Sequence, residues 1–335
     1  MIFKCKNCGG NVVYSPERRK MFCPFCESED SGQKEFAKDN VDAKDTDLNK
    51  CPNCGGEIDL KEHTSATKCP YCDSYIVLDE RVGGEYTPKF MIPFHFGKEV
   101  CKKTMKDHFK AAFFAPADFL SEVRLNTMQG IYVPFWFYNY EVNYDMEAEG
   151  TKVRSWTSGD RRYTETSYYQ ILRNMDIDFK EIPADASIEM PDPVMDLMAP
   201  YDYSQFVSFS PEYMSGFYAE KYNMTSDVIE SRARERMRND TVKIADGSYS
   251  GYSSSHIVRN RVDIRREWAE YGLLPVWKYV YQYKDQEYPF YINGQTGKVV
   301  GNAPISAKKV WGYTGTLWAC ITVILLLINL AQSLL

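Results

Sequence analysis

Apolar and polar residues alternate along two similar segments of the chain. Residues 134–140 are Pro-Phe-Trp-Phe-Tyr-Asn-Tyr, and residues 275–281, 141 positions later, are Pro-Val-Trp-Lys-Tyr-Val-Tyr. A period of two places Trp and Tyr on one face of a strand, as in an antiparallel sheet with one buried face. Residues 92–96 resemble a shorter copy. The pattern predicts a sheet and is consistent with an old internal duplication.

Shorter alternating runs predict the remaining strands of this sheet. They lie at residues 163–172, 176–182, 288–292 and 298–300. Asn293 and Gly294, between the last two runs, form a dipeptide typical of a hairpin turn.

Two segments have helical rather than alternating spacing. One lies within residues 97–112. The other covers residues 228–238, with Asp227 as the expected N-cap and Glu230 as its capping-box partner. Together, the strands and helices predict an antiparallel α+β domain over residues 85–310.

The end of the chain is continuously apolar. Residues 317–335 carry no charge, and extension back to residue 311 gives 25 residues. At ~1.5 Å per residue this length crosses a hydrocarbon layer of ~30 Å. Three aromatic residues suit the membrane interface: Trp311, Tyr313 and Trp318. No polar face favours an interfacial or buried helix, so we predict a transmembrane helix over residues 311–335, and the lysines at 308 and 309 favour the cytoplasmic side.

Eight of the ten cysteines form two sets of paired Cys-x-x-Cys motifs. The first set is Cys5, Cys8, Cys23 and Cys26, and the second is Cys51, Cys54, Cys69 and Cys72. Each cysteine recurs 46 positions later and the flanking residues repeat as well, which indicates an internal duplication. Zinc takes four thiolates in a tetrahedron, and one tight turn, freed by the glycines after Cys8 and Cys54, presents two of them. Because four thiolates leave no open position, we expect two structural zinc ions and no catalytic metal.

The cysteine pattern leaves three other chemistries open: a disulfide framework, an iron site of the rubredoxin type and a redox Cys-x-x-Cys centre. Zinc is favoured because a redox motif would not occur as two matched pairs of pairs. No apolar secretory segment follows Met1, and free thiolates persist in a reducing compartment. We therefore expect the N-terminal part to be cytosolic.

The cysteine sets define two small domains, zinc ribbons over residues 1–30 and 50–84. The polar residues 31–49 between them lack apolar periodicity and predict a flexible linker. Ribbon strands are expected at residues 11–14, 20–22, 57–60, 66–68 and 74–78. Each ribbon is too small to bury a core, so metal binding would supply much of its folding free energy.

The charge of the N-terminal part disfavours nucleic acid as a ligand. The chain has 40 Lys and Arg against 46 Asp and Glu, a net charge of −6, and residues 1–82 have 12 against 15. Each zinc with four thiolates adds a formal charge of about −2. Such a surface repels phosphate, and its basic exception is the short run from Arg18 to Lys20. Nucleic-acid binding is therefore the alternative function rather than the preferred one.

Two segments superficially resemble catalytic motifs. Gly294-Gln-Thr-Gly-Lys298 resembles the end of a phosphate-binding loop, but it lacks the upstream glycine and the following Ser or Thr. Residues 247–251 carry Tyr249 where a nucleophile elbow needs Ser. None of the 4 histidines is paired at metal-ligand spacing. We expect no enzyme.

With these features assembled, the chain resembles the bacterial membrane-anchored double zinc-ribbon proteins that are labelled as TFIIB-type or primosomal-helicase-type ribbon proteins, the YdjG-like family. The residues that carry this resemblance are the two cysteine sets, Tyr132 to Trp136, Gly216 to Tyr222, Asn293 to Lys298 and the apolar C-terminus. The resemblance implies a role in envelope stress, in which phage-shock-type and SPFH-type proteins are tethered to the membrane. The sequence thus predicts a zinc-binding adaptor of the cell membrane that binds protein partners, with its N-terminal domains in the cytoplasm and its last helix in the lipid bilayer.

Overall fold

The structure, a computed structural model, describes residues 1–29, 33–35 and 49–333. Its strands are β1 (Ile2–Lys4), β2 (Val13–Ser15), β3 (Lys20–Phe22), β4 (Gln33–Glu35), β5 (Thr64–Lys68), β6 (Tyr75–Val77), β7 (Phe90–Met91), β8 (Gln129–Ser158), β9 (Arg161–Asp185), β10 (Val207–Ser208), β11 (Tyr218–Glu220), β12 (Ser254–Tyr283), β13 (Gln286–Asn293) and β14 (Val299–Val300). Its α-helices are α1 (Lys98–His108), α2 (Glu122–Leu125), α3 (Asp192–Met198), α4 (Ser226–Gly247) and α5 (Ala307–Ser333). The predicted fold class is confirmed: two N-terminal four-cysteine units, a mixed α+β body and one apolar C-terminal helix.

A ten-stranded sheet forms the body, and its central pair is β8 and β12. These strands run antiparallel, from Gln129 opposite Lys278 to Thr151 opposite Ser254. β9 follows β8 as a hairpin on one side, and β13 follows β12 as a hairpin on the other. The predicted strands 134–140 and 275–281 lie within β8 and β12, while the two fragments predicted at 163–172 and 176–182 are parts of the single strand β9.

The two halves of this sheet are related by an approximate two-fold axis. Val133 pairs with Leu274, and these positions are 141 residues apart, like the two repeated sequence segments. β7 runs parallel to β12 at Gly272, and β11 runs parallel to β8 at Ile131, again 141 residues apart. The order of short strand, helix, long strand and hairpin strand occurs twice, as β7, α1, β8, β9 and as β11, α4, β12, β13. This symmetry is what an internal duplication would produce.

On one side of the axis, β9, β8 and β12 continue as a three-stranded arm. β8 and β12 have 30 residues each and β9 has 25, so the strands extend for about 80–100 Å. α4 covers one face of the arm with a stripe of buried residues at every fourth position: Ile229, Ala233, Met237, Thr241 and Ala245. Beyond Thr151 and Ser254 the arm narrows to the hairpin of β8 and β9 alone.

Both N-terminal cysteine units are docked on the body. β5 pairs with β11, so the β5–β6 hairpin of the second unit extends the body's sheet. The amide of Val77 in β6 donates to the carbonyl of Met1 at 3.0 Å, which joins the two units. Phe3 and Tyr14 of the first unit share an apolar core with Phe94 and Met214 of the body. Each small unit thereby buries apolar surface that it could not bury alone.

Most of the predicted linker 31–49 lies outside the described residues. Within it, β4 pairs antiparallel with β1, so residues 33–35 form a strand and not flexible chain. Composition alone could not show this, because a backbone ladder needs no apolar side chain. The strand predicted at 57–60 is wrong as well, since Glu57 makes only an isolated bridge to Lys50.

Two further predictions for the body are wrong. Residues 92–96 are not a strand, because β7 ends at Met91 and the following Pro93 has no N–H for a ladder. The second helix begins at Ser226 and not at residue 228, with Thr225 at its N-cap, and it continues to Gly247. Asp227 does not cap it and instead accepts a hydrogen bond from Arg266 at 2.9 Å.

The C-terminal helix α5 is attached to the body at its first turns only. The amide of Ser306 donates to the carbonyl of Phe114 at 2.7 Å, and the rings of Phe114 and Tyr313 meet edge to face. The segment Ala307–Leu330 is long and apolar enough to cross a membrane, and the described part of the chain buries none of its most apolar stretch.

Candidate metal centres

The structure brings each set of four predicted cysteines together around a single point. In the first unit, the Sγ atoms of Cys5 and Cys26 are 3.6 Å apart, and those of Cys8 and Cys23 are 3.5 Å apart. All four Sγ atoms lie within 4.8 Å of one another. A tetrahedron with Zn–S bonds of ~2.3 Å has S···S edges of about 3.8 Å, so the cluster has the size that zinc requires.

The second unit repeats this geometry. The Sγ atoms of Cys51 and Cys72 are 3.6 Å apart, and those of Cys54 and Cys69 are 3.8 Å apart. In both sets the first and third cysteines are buried, the second is exposed and the fourth is intermediate. The sequence duplication is therefore a duplication of the site.

Tight backbone turns hold the sulfurs in place. Cys5 accepts from the amide of Gly9 at 2.8 Å, and Cys51 accepts from Gly55 at 2.8 Å. Gly9 and Gly55 have φ of 71° and 73°, a region that glycine enters at little cost. The second glycine of each motif has another role, because a side chain at Gly10 or Gly56 would meet the ring of Phe25 or Tyr71.

Hydroxyl and amide groups next to the sulfurs favour thiolates. The Ser28 hydroxyl lies 3.1 Å from Cys26 Sγ and, with the Ser28 amide, lowers the pKa of Cys26 to about 6. Burial opposes the same shift at Cys72, but hydrogen bonds from Ser74 and Asn53 outweigh it and lower the pKa to about 6. Ser28 and Ser74 occupy equivalent positions of the duplication, 46 residues apart.

The donor set fits a metal better than a disulfide framework. S···S separations of 3.5 to 3.8 Å are far longer than the ~2.05 Å of a disulfide. Without a cation, burial raises the pKa of Cys51 to about 12, so four thiolates at one point require a bound positive charge. Since all four donors are protein sulfurs, the two sites are compatible with two structural zinc ions, one in each unit.

A polar network that the sequence alone did not reveal connects the two sites. Lys4 Nζ donates to Asn11 at 2.7 Å and to Asn53 at 2.8 Å. Asn11 donates to the Ser74 hydroxyl at 2.7 Å, and Asn53 donates to the same hydroxyl at 3.1 Å. Its signal in the sequence is the repetition of Lys, Asn and Ser at fixed distances from the cysteines. The network fixes the first site relative to the second.

Comparisons with known proteins agree with this site. The model of a zinc ribbon domain family matches residues 2–30. A protein of Bacillus subtilis (strain 168), "Uncharacterized protein YdjG", is 36% identical over 312 residues, which cover 92% of this chain and 91% of the relative. No solved structure matches the chain. Two four-cysteine sites and similarity along nearly the whole length place the chain in one family: it belongs to the YdjG-like zinc-ribbon proteins.

Proposed function

We propose that the chain is a membrane-anchored adaptor of the cytoplasmic face, whose zinc ribbons and sheet domain bind protein partners. The observation that carries the proposal is α5, an apolar helix that the described body leaves uncovered. An uncovered stretch of this length is unfavourable in water but suits a hydrocarbon layer. Lys308 and Lys309 at its start favour a cytoplasmic body.

The metal sites support a binding role rather than catalysis. Each cluster offers four sulfurs and no open coordination position, which is typical of structural zinc. The exposed rings of Phe25 and Tyr71 occupy equivalent positions at the two sites, with 73% and 69% of their surface accessible. Paired exposed aromatic rings on a rigid support are suited to contact with another protein.

The family resemblance suggests what the partners are. Phage-shock-type and SPFH-type membrane proteins are the proposed partners, and envelope stress is the proposed setting. Both remain proposals.

Membrane fractionation tests the anchor. The full chain is expected in salt-washed membranes, and a chain ended after Ser306 is expected in the soluble fraction with its body folded. A full chain that stays soluble would remove the anchor from the proposal.

Affinity capture from detergent-solubilised native membranes tests the adaptor role. Co-purifying proteins are expected with the full chain and with Cys320→Ser, whose cysteine lies outside the ribbons. They are expected to be lost with Cys5→Ser and Cys51→Ser together. Recovery of no partner, or of the same partners with both ribbons disrupted, would argue against adaptor function through the ribbons.

Nucleic-acid binding is a second candidate because of the arm's tip and not because of the ribbons. Residues 151–164 contain four Lys or Arg and a single Asp, and the rings of Trp156 and Tyr163 stack there at 5.7 Å. A two-stranded ribbon of this width fits the major groove of B-DNA. Salt-dependent binding of duplex DNA that is lost with Arg161→Ala and Arg162→Ala together would favour this candidate, and the absence of binding at low salt would remove it.

A further inference from the structure

The outer edge of β9 is a long unpaired strand edge. β9 pairs with β8 on one side, and no described strand pairs with its other side. A two-residue turn, Gly159 and Asp160, joins Ser158 to its partner Arg161. In such a hairpin the pair next to the turn is hydrogen-bonded, so odd-numbered residues of β9 direct their backbone groups to β8. Up to the irregularity in the pairing beyond Phe179, the even-numbered residues, from Arg162 to Asp178, therefore direct theirs outward.

The composition of this edge differs from that of the opposite edge of the same arm. Along β12, charged residues occupy every second position from Arg259 to Arg265, which is how natural sheets discourage edge pairing. Along β9, residues 166–172 carry no charge, no proline and no glycine. Within this run Tyr168 is 80% exposed and Leu172 is 61% exposed. The β9 edge thus lacks the protection that the β12 edge has.

We propose that the β9 edge pairs with the β9 edge of a second copy of this chain, antiparallel about a two-fold axis at Tyr169. In this register each residue faces the one whose number makes a sum of 338 with its own. Glu165 then faces the partner's Arg173, and Arg162 faces the partner's Asp176, and the symmetry repeats both pairs. Opposite charges directly across a strand pair stabilise it.

The charges select this register over its neighbours. An antiparallel two-fold pairing keeps each side chain on its own face, so the axis moves in steps of one residue. With the axis at Tyr168, Glu165 faces Ile171 and Arg173 faces Tyr163. With the axis at Gln170, they face Met175 and Ser167. Neither shift leaves Glu165 or Arg173 with a partner of opposite charge.

The backbone geometry fits the same register. The even-numbered residues that would bond across the two copies, from 162 to 176, are those whose groups point outward. In the single chain the Leu172 carbonyl is held by the Arg173 guanidinium at 2.8 Å. Pairing would replace this bond with an amide of the partner and leave Arg173 next to the partner's Glu165. The joined edge would be about 50 Å long and would merge two arms into one six-stranded sheet.

The mass of the full chain in detergent, measured by light scattering over a range of concentrations, tests the proposal. The wild type is expected to be a dimer. Arg173→Glu and Glu165→Arg are each expected to raise the dimer dissociation constant about tenfold, because each places like charges together twice. The combined variant is expected to recover affinity. A monomeric wild type, or single variants that dimerise like the wild type, would overturn the proposal.

Cysteine cross-linking in a Cys320→Ser background separates β9 pairing from association through α5. Tyr169→Cys places a thiol opposite its own copy at the axis, and a disulfide-linked dimer is expected under mild oxidation. Tyr163→Cys is the matched control, since its copy would lie about 40 Å away, and no cross-link is expected. Absence of the cross-link at 169, or equal cross-linking at 163, would overturn the proposed register.

Discussion

At the scale of single residues, Asp185 is the carboxylate whose environment departs furthest from water. Its side chain is 0% exposed, and its Oδ1 lies 3.1 Å from the Arg232 guanidinium. Burial raises the pKa of Asp185 to about 6; Arg232 opposes this shift, and the nearby Asp192 adds to it. The folded state therefore favours the protonated form of this residue relative to the unfolded chain.

This shift predicts a pH-dependent contribution to stability. Since the folded pKa lies above the unfolded value of 3.8, the contribution is fully present below about pH 4 and is lost as the pH rises through about 6. The loss is at most about 1.4 kcal/mol per pH unit. The measurement is the free energy of unfolding of wild type and Asp185→Asn at pH 5 and pH 7. The wild type is expected to fall relative to the variant by on the order of 1 kcal/mol. A difference between the two proteins that stays constant with pH would show that Asp185 does not titrate in this range.

The serines next to the metal sites carry a second prediction. Ser28 lies 3.2 Å from Cys5 Sγ and 3.1 Å from Cys26 Sγ, and Ser74 lies 3.3 Å from Cys72 Sγ. Replacing either serine with alanine removes a hydrogen bond to a thiolate and is expected to weaken zinc binding about 10- to 100-fold at that site. Competition with a chromophoric chelator measures this affinity.

Ser15→Ala is the matched control for these variants. Ser15 lies in the first ribbon, but its hydroxyl bonds to Glu17 at 3.1 Å and not to a ligand. Zinc affinity unchanged in Ser28→Ala and Ser74→Ala would show that these hydroxyls do not support the sites.

At the scale of elements, helix α4 holds the arm through one apolar stripe. Met237 is 0% exposed and packs in the same cluster as Tyr138, Tyr140 and Val142 of β8. Met237→Ala is expected to lower the free energy of unfolding by about 2–5 kcal/mol, because it leaves a cavity between helix and sheet. Denaturant unfolding measures the change. Arg238→Ala, one residue along and exposed, should have little effect, and equal effects of the two variants would contradict this packing.

The sequence predicted these elements where the side-chain pattern and the backbone agree. The alternation at 134–140 and 275–281 marks strands because both segments lie in the two central strands of the sheet. It did not reveal their length, since the outer part of β8 alternates between residues such as Val142 and charged residues such as Glu141, buried only on the face under α4. The apolar residues of 92–96 misled because tertiary burial of a loop produces the same composition as a strand.

The cysteine sites could be predicted further than the body. Four sulfurs around one ion restrict the chain locally, so spacing alone identifies the residues. Docking of the ribbons could not be predicted, because the pairing of β5 with β11 joins residues far apart in the sequence through backbone groups. The same limit applies to the network of Lys4, Asn11, Asn53 and Ser74, whose members carry no pattern that indicates contact.

At the scale of the whole molecule, the described contacts join head and body into one unit with an apolar helix attached at a single point. The first ribbon shares the body's core, the second extends its sheet, and α5 contacts the body around Phe114. A rigid metal-stabilised head on an anchored body suits a protein that acts by location and contact.

The metal content of the full chain tests this account most directly. Elemental analysis of protein purified from membranes in detergent, without added metal, is expected to give two zinc ions per chain. Cys54→Ser with Cys69→Ser is expected to leave one, and Cys101→Ser, a buried cysteine of the body, is expected to leave both. A preparation that is folded but holds less than one zinc per chain, or holds iron instead, would contradict the account.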